Sequence, residues 1–301
     1  MALIECVPNV SEGRRTETLE KLVQNVRQVR GVRLLDHSAD REHNRSVFTI
    51  VGEPSPLQDA VLLLFDIALS AIDLRVHTGA HPRLGAVDVV PFIPLEHATM
   101  EECTELAHAT ASEIARRFQV PAYLYEKAST DPNRQKLEDI RRGQFEGLAT
   151  KMSRPGWAPD YGPRAVHPRA GASIIGARMP LIAYNINLAT DRLEVAERIA
   201  ATIRYSGGGF PHVKAMGVAL QERSIVQVSM NLTNYESTPI GRVFDAVCKE
   251  AQRYGVRAIE NEIIGLVPRA ALTGLSENFG RLGSIREDQI LETRLRQTRG
   301  P

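Results

Sequence analysis

Apolar and polar positions along this chain repeat one alternation twice. Ala2-Leu3-Ile4-Glu5-Cys6-Val7 has the period of a strand and is stopped by Pro8-Asn9. A helix is predicted over 16–29, with Leu19, Leu22, Val23 and Val26 on one face and Gly31 at its end. Strands follow at 32–36 and 46–51. Ser55-Pro56 supplies an N-cap and a first-turn proline for a helix reaching Ile72. An apolar run over 86–94 then completes β-α-β-β-α-β. Thr99 and Glu102 form a capping box for a further helix to Arg117, and 120–125 adds a strand.

The pattern weakens over 127–179, which reads as a short helix near 133–152 followed by a long ordered loop. It restarts at Pro180 with a strand over 181–188, a helix over 191–205 and strands over 213–220 and 225–232. A helix from Thr238-Pro239 to Gly255 and a strand over 256–264 close the second round. The fold class is therefore α+β, with two ferredoxin-like, split β-α-β subdomains side by side, 1–178 and 179–301.

Composition narrows the function classes. Of 301 residues, 43% are hydrophobic and 24% charged, as in a folded protein, and a net charge of +1 demands neither nucleic acid nor an acidic membrane surface as partner. Cys6, Cys103 and Cys248 are odd in number and widely spaced, which argues against a disulfide framework. No apolar run is long enough to span a membrane, and residues 1–10 carry no export signal. A soluble cytoplasmic protein is expected.

The most informative stretch is His77-Thr78-Gly79-Ala80-His81-Pro82-Arg83-Leu84-Gly85-Ala86-Val87-Asp88, between a helix and a strand. Pro82 keeps His81 out of the α region. His77 and His81 have the spacing of helical zinc ligands, but Gly79 and Pro82 oppose that helix and no third ligand is near, so no metal is expected. Each imidazole is either a loop histidine bonded to a backbone carbonyl or a proton carrier. Arg83 is suited to a carboxylate. Asp36, Ser38 and Asp40 share one strand face, and Asn44-Arg45 follows, either as a solvated hairpin tip or as part of a site. Asn9-Val10-Ser11-Glu12-Gly13 is a strand-to-helix connection with a capping serine, or a helix N-terminus open to an anion. The loop Gly162-Pro163-Arg164-Ala165-Val166-His167-Pro168-Arg169-Ala170-Gly171 is too rigid for a tether. Gly207-Gly208-Gly209 follows a helix and reads as a flexible surface turn, not a phosphate loop.

Several long motifs, in order, resemble the formiminotransferase family. They are residues 5–13, Asn44-Arg45-Ser46-Val47, residues 77–94, Trp157-Ala158-Pro159-Asp160-Tyr161-Gly162-Pro163, Ala183-Tyr184-Asn185-Ile186-Asn187-Leu188 and Gln227-Val228-Ser229-Met230-Asn231-Leu232. The resemblance covers residues 2 to about 275 and matches the stand-alone transferase, or the transferase half of the animal enzyme fused to a cyclodeaminase. It implies two ferredoxin-like subdomains, a homodimer, and transfer of a formimidoyl group from N-formimino-L-glutamate to (poly)glutamylated tetrahydrofolate in histidine degradation. Tetrahydrofolate is then a co-substrate and no metal is needed. The family's catalytic histidine falls on His81 and its folate-contacting stretch on Gly162 to Gly171. Asn9, Asp36, Asp40, Arg45 and Arg83 are the further candidates for substrate contact. The acidic residue that assists the family's histidine is replaced here by Ser38, with Asp36 and Asp40 as substitutes.

The reaction explains these residue types. A folate ring nitrogen adds to the amidine carbon, and collapse of the tetrahedral adduct requires a proton moved from that nitrogen to the departing glutamate nitrogen. One imidazole between them serves both steps. Related transfer from N-formylglutamate or formiminoglycine, and folate binding without catalysis, are the alternatives.

Overall fold

The computed structural model describes residues 2–298, which divide in sequence into two compact units between Arg178 and Met179. The first begins with β1 (Ile4–Cys6), inside the predicted strand, and β2 (Asn9–Val10), which lies beyond its predicted stop at Pro8-Asn9. Pro8 has no N–H to give to a ladder, so pairing lapses there. Bonds from Val7 N to Pro91 O and from Phe48 N to Pro8 O, 3.2 and 3.1 Å, keep the line of the strand. Next come α1 (Thr16–Gln28), β3 (Val32–Asp40), β4 (Arg45–Gly52), α2 (Pro54–Ala71) and β5 (Val87–Pro94). Both β1 and β2 lie antiparallel between β4 and β5, and β3 flanks β4, which is the ferredoxin-like arrangement. Leu22, Val23 and Val26 of α1 and Leu57, Val61, Leu64 and Phe65 of α2 bury the helices against Ile4, Cys6, Phe48 and Phe92 of the sheet. Helix α2 begins at Pro54 after Glu53, slightly before the predicted Ser55 cap.

Five more elements extend this unit. Helix α3 (Met100–Phe118) carries both halves of the capping box, Thr99 Oγ1 accepting from Glu102 N at 3.2 Å and Glu102 Oε2 from Thr99 N at 2.7 Å. Strand β6 (Ala122–Glu126) follows, then α4 (Leu137–Arg141) and α5 (Gln144–Met152), separated by Gly143 at φ +92°. The region read as loop hides β7 (Ser173–Ala177), which inserts between β5 and β6, parallel to both. All five of its residues are buried, so it shows no alternation for a sequence pattern to reveal.

Glu5, between two core residues of β1, is 7% exposed; burial raises its carboxyl to about 7 although the charge of Arg178 opposes the rise. An acid whose folded pKa is raised contributes stability that is complete below its unfolded value, near 4.5, and lost as pH climbs through 7. Glu5→Gln is therefore expected to flatten the decline in stability across that window by roughly 2 kcal/mol. Denaturant midpoints at pH 5 and pH 8 check this; an equal decline in both proteins would refute it.

The second unit comprises β8 (Ile182–Leu188), α6 (Leu193–Ile203), β9 (Val213–Leu220), β10 (Ile225–Leu232), α7 (Ile240–Arg253) and β11 (Ala258–Ile264). Its sheet runs β11-β8-β10-β9, antiparallel throughout, again ferredoxin-like. Tyr184, Ile186, Val228 and Phe244 meet in its core with Phe279 from α8 (Glu277–Leu282), and α9 (Leu291–Gln297) ends the described chain. Gly207-Gly208-Gly209 is a tight turn, not a loose one: a Cβ on Gly207 would stand 1.8 Å from Ala201 O and one on Gly209 2.3 Å from Ile203 O. No helix among the described residues is long and apolar enough to cross a membrane.

Candidate active site

The connection from α2 to β5, which carries His77, His81 and Arg83, is held in place from below and from the side. Ser11 Oγ donates to Gly85 O at 2.7 Å and Ser11 N to Ala86 O at 2.8 Å. Asn44 takes a left-handed φ of 49°, accepts from Gly13 N at 3.0 Å and donates to Thr78 O at 2.9 Å. It is buried, not a solvated hairpin tip. Gly79 is required by this approach, since a Cβ there would lie 2.4 Å from His43 O. Ahead of α1, Glu12 Oε1 accepts from both Arg14 N and Arg15 N at 2.8 Å and so fixes the turn that leads into the helix. Ser11 is not a cap for α1: the N-cap position is Arg15, with no side-chain cap bond among the described residues.

His81 is 8% exposed and points Nε2 at Asp88 Oδ2, 3.7 Å away, a distance for charge interaction but too long for a hydrogen bond. Asp88, on β5, is almost wholly buried. Its Oδ1 accepts from Leu84 N at 2.5 Å and Gly85 N at 3.1 Å, and its Oδ2 accepts from Arg141 Nη2 of α4 at 2.5 Å. Burial alone would raise the Asp88 carboxyl, but Arg141, His81 and the Leu84 amide hold it at about 2, so it is ionised. Burial lowers the pKa of His81, with Arg141 and Arg45 acting in the same direction and Asp88 opposing. His81 therefore rests as a neutral imidazole at neutral pH, with Nε2 directed at the carboxylate and Nδ1 as the nitrogen left to take a proton.

Cations outnumber anions around it. Arg45 is depressed by burial and by the charge of Arg141. Among the described residues no hydrogen-bond partner reaches the buried Nε of Arg45, Arg83 or Arg141, Nδ1 of His77 or Nε2 of His81. Arg83 does bind Glu146, at 2.7 Å from Nη2 and 3.2 Å from Nη1, and His77 Nε2 stands 3.1 Å from Asn44 O. Buried N–H groups beside an excess of guanidinium suit a ligand that brings carboxylate oxygens.

The loop 162–171 packs along the same segment. Ala86 N donates to Ala170 O at 3.0 Å, Ala172 N to Leu84 O at 3.1 Å, and His167 and Gly171 exchange bonds of 3.1 and 2.9 Å. Gly171, at φ +70°, would place a Cβ 2.0 Å from Leu84 O, so the protein's own backbone demands this glycine. Ala170 is buried, Val166 packs on the cluster around Tyr123 and Trp157, and His167 Nδ1 accepts from Ala170 N at 3.0 Å. Arg164 donates to Met152 O at 3.0 Å and so finishes α5, while Arg169 lies 3.5 Å from Asp73. Ala165, Pro168 and Arg169 stay exposed, as do Gly162 and Arg164, and Pro163 is half-buried.

The other candidates are scattered. Asn9 turns its side chain back to Val7 O at 3.1 Å. Asp40 accepts from His43 N at 2.8 Å and closes the β3–β4 turn, and Asp36 sits on β3 opposite Thr49. The carboxylate facing His81 is Asp88, which the sequence pattern did not single out; the signal was a lone charge inside the apolar run 86–94. Arg141 gave none, being one of several arginines in a weakly patterned segment.

A family model described as the N-terminal subdomain of the formiminotransferase domain matches residues 3–178, and one described as the formiminotransferase domain matches 183–291. A glutamate formimidoyltransferase of Streptococcus pyogenes serotype M1 is 46% identical over 294 residues, 97% of this chain and 98% of that protein. One of Thermoplasma acidophilum is 43% identical over 98% of each chain. A formimidoyltransferase-cyclodeaminase of Gallus gallus is 41% identical over 92% of this chain, which spans 52% of that longer protein. Two ferredoxin-like units, the site built on the α2–β5 connection and these matches converge: the chain belongs to the formiminotransferase family.

Proposed function

We propose that this chain is a glutamate formimidoyltransferase, moving the formimidoyl group of N-formimino-L-glutamate to tetrahydrofolate to give 5-formimidoyltetrahydrofolate and L-glutamate. The observation that carries the reading is a neutral, buried His81 backed by ionised Asp88 among guanidiniums whose buried Nε–H groups find no partner among the described residues. The folate ring nitrogen bonds to the amidine carbon and gives its proton to His81 Nδ1. The imidazolium, steadied by Asp88, passes that proton to the glutamate nitrogen as its bond to carbon breaks. Arg45 and Arg83 are suited to the donor's carboxylates, and the exposed part of 162–171, above all Ala165, Pro168 and Arg169, to the folate. The reading carries with it a homodimer working in the cytoplasm on histidine breakdown. Purified protein incubated with tetrahydrofolate and each of N-formimino-L-glutamate, N-formylglutamate and formiminoglycine tests it, with formimidoyl-folate followed by absorbance. Transfer from none of them refutes catalysis, and transfer from another donor reassigns the substrate.

Because burial lowers the His81 pKa, the acid limb of kcat/KM is expected below the ordinary imidazole value of 6.5, with activity lost as pH falls through it. A limb above 6.5 would count against His81 as the base.

A further inference from the structure

One oxygen faces two nitrogens in this site. Asp88 Oδ1 is committed to the Leu84 and Gly85 amides, so Oδ2 alone faces both Arg141 Nη2, at 2.5 Å, and His81 Nε2, at 3.7 Å. The backbone of α4 is pinned where it delivers Arg141. Lys151 Nζ donates to the carbonyls of Asp139, Ile140 and Arg142, the last two at 2.8 and 3.1 Å, and lies 4.0 Å from the centre of the Trp157 ring. The guanidinium itself is less saturated, since Arg141 Nε is buried with no hydrogen-bond partner among the described residues. Arg45 Nε is in the same condition, and the two guanidiniums are close enough to repel.

We propose that Arg141 is a displaceable counter-ion for Asp88 and so a positioning residue for His81: it holds Oδ2 off the imidazole until a carboxylate-bearing donor engages Arg141 and Arg45. The proposal rests on the function above for the identity of the donor. The chemistry runs in one direction. A carboxylate entering beside two guanidiniums competes with Asp88 for Arg141, weakening its grip on Oδ2. The freed oxygen closes on His81 Nε2–H, fixing the tautomer that leaves Nδ1 as base and stabilising the imidazolium once the proton arrives. Charged groups facing His81 from the surrounding elements are Asp88 on β5, Arg141 on α4 and Arg45 on β4. Pairing with Asp88 therefore waits for substrate, and the base strengthens only when there is a proton to take.

The test is histidine NMR on the full chain, with L-glutamate as a non-reacting probe. In the unmodified protein, saturating glutamate is expected to raise the His81 pKa by about one unit. In Arg141→Gln the value should already be raised without glutamate and should not respond to it. Asp88→Asn should show neither the shift nor the response; if it fails to fold, the first two samples still decide. In turnover, the acid limb of kcat should lie at higher pH than that of kcat/KM in the unmodified protein, and the two should coincide in Arg141→Gln. A purely structural ion pair would not produce that split. An unmoved His81 in the unmodified protein, or an Arg141→Gln variant that titrates like it, overturns the proposal. Formimidoyl transfer without the shift would leave the function standing and remove the switch, whereas the shift without transfer would do the reverse.

Discussion

Replacing His81 by alanine is expected to lower kcat by roughly 10²–10⁴, the usual contribution of a positioned acid–base group. Folate affinity should change little, because the loop 162–171 is held by its own bonds to residues 84–86 and not by the imidazole. His77→Ala is the control. Its Nε2 lies against Asn44 O, on the loop's anchoring side, so the variant should lose much less turnover and some thermal stability. Comparable losses of kcat in both variants, measured at saturating substrates, would remove His81 from its assigned role.

The second large effect is on stability. Gly171→Val is expected to destabilise the first unit by about 3 kcal/mol or more. A left-handed φ held by a branched residue costs about 1–3 kcal/mol and overpacking about 1–3 more. The contact that enforces this is with Leu84 O, which also accepts from Ala172 N, so the added methyls strike the segment that leads from His81 into β5. Thermal unfolding reads it directly. A variant with an unchanged melting temperature and weakened folate binding would show instead that Gly171 is kept for a ligand.

Most of the architecture was legible because amphipathic period survives wherever an element has one wet face. Helix α3 announced itself through Thr99 and Glu102, and both units show the predicted β-α-β-β-α-β order. Where burial is complete the period vanishes, which is why β7 passed for loop. Strand β2 was missed because Pro8-Asn9 reads as the end of the first strand, whereas pairing resumes at Asn9. At the site, His81 stood out through its neighbours Gly79, Pro82 and Arg83. Its carboxylate did not, because Asp36, Ser38 and Asp40 share a face only with one another, while Asp88 reaches His81 through a turn whose geometry depends on the Leu84 and Gly85 amides. Arg141 was invisible for a plainer reason: what brings it to Asp88 is Lys151 binding the end of α4, a tertiary contact with no local pattern.

Insertion of β7 has a consequence for how the site comes into being. Strand β6 is made long before β7, yet its sheet partner is β7, and β7 reaches β5 only after α3, β6, α4 and α5 have been threaded between them. Pairings this distant close a large loop before they return any contact energy, so they form late and slowly. The pairings of β1 to β5 need only the chain as far as Pro94, whereas Arg141, the 162–171 loop and the strands beyond β5 come from residues 95–177. His81 and Asp88 thus belong to the part of the sheet whose pairings need no chain beyond β5, whereas the strand that covers the β5 edge ends only at Ala177.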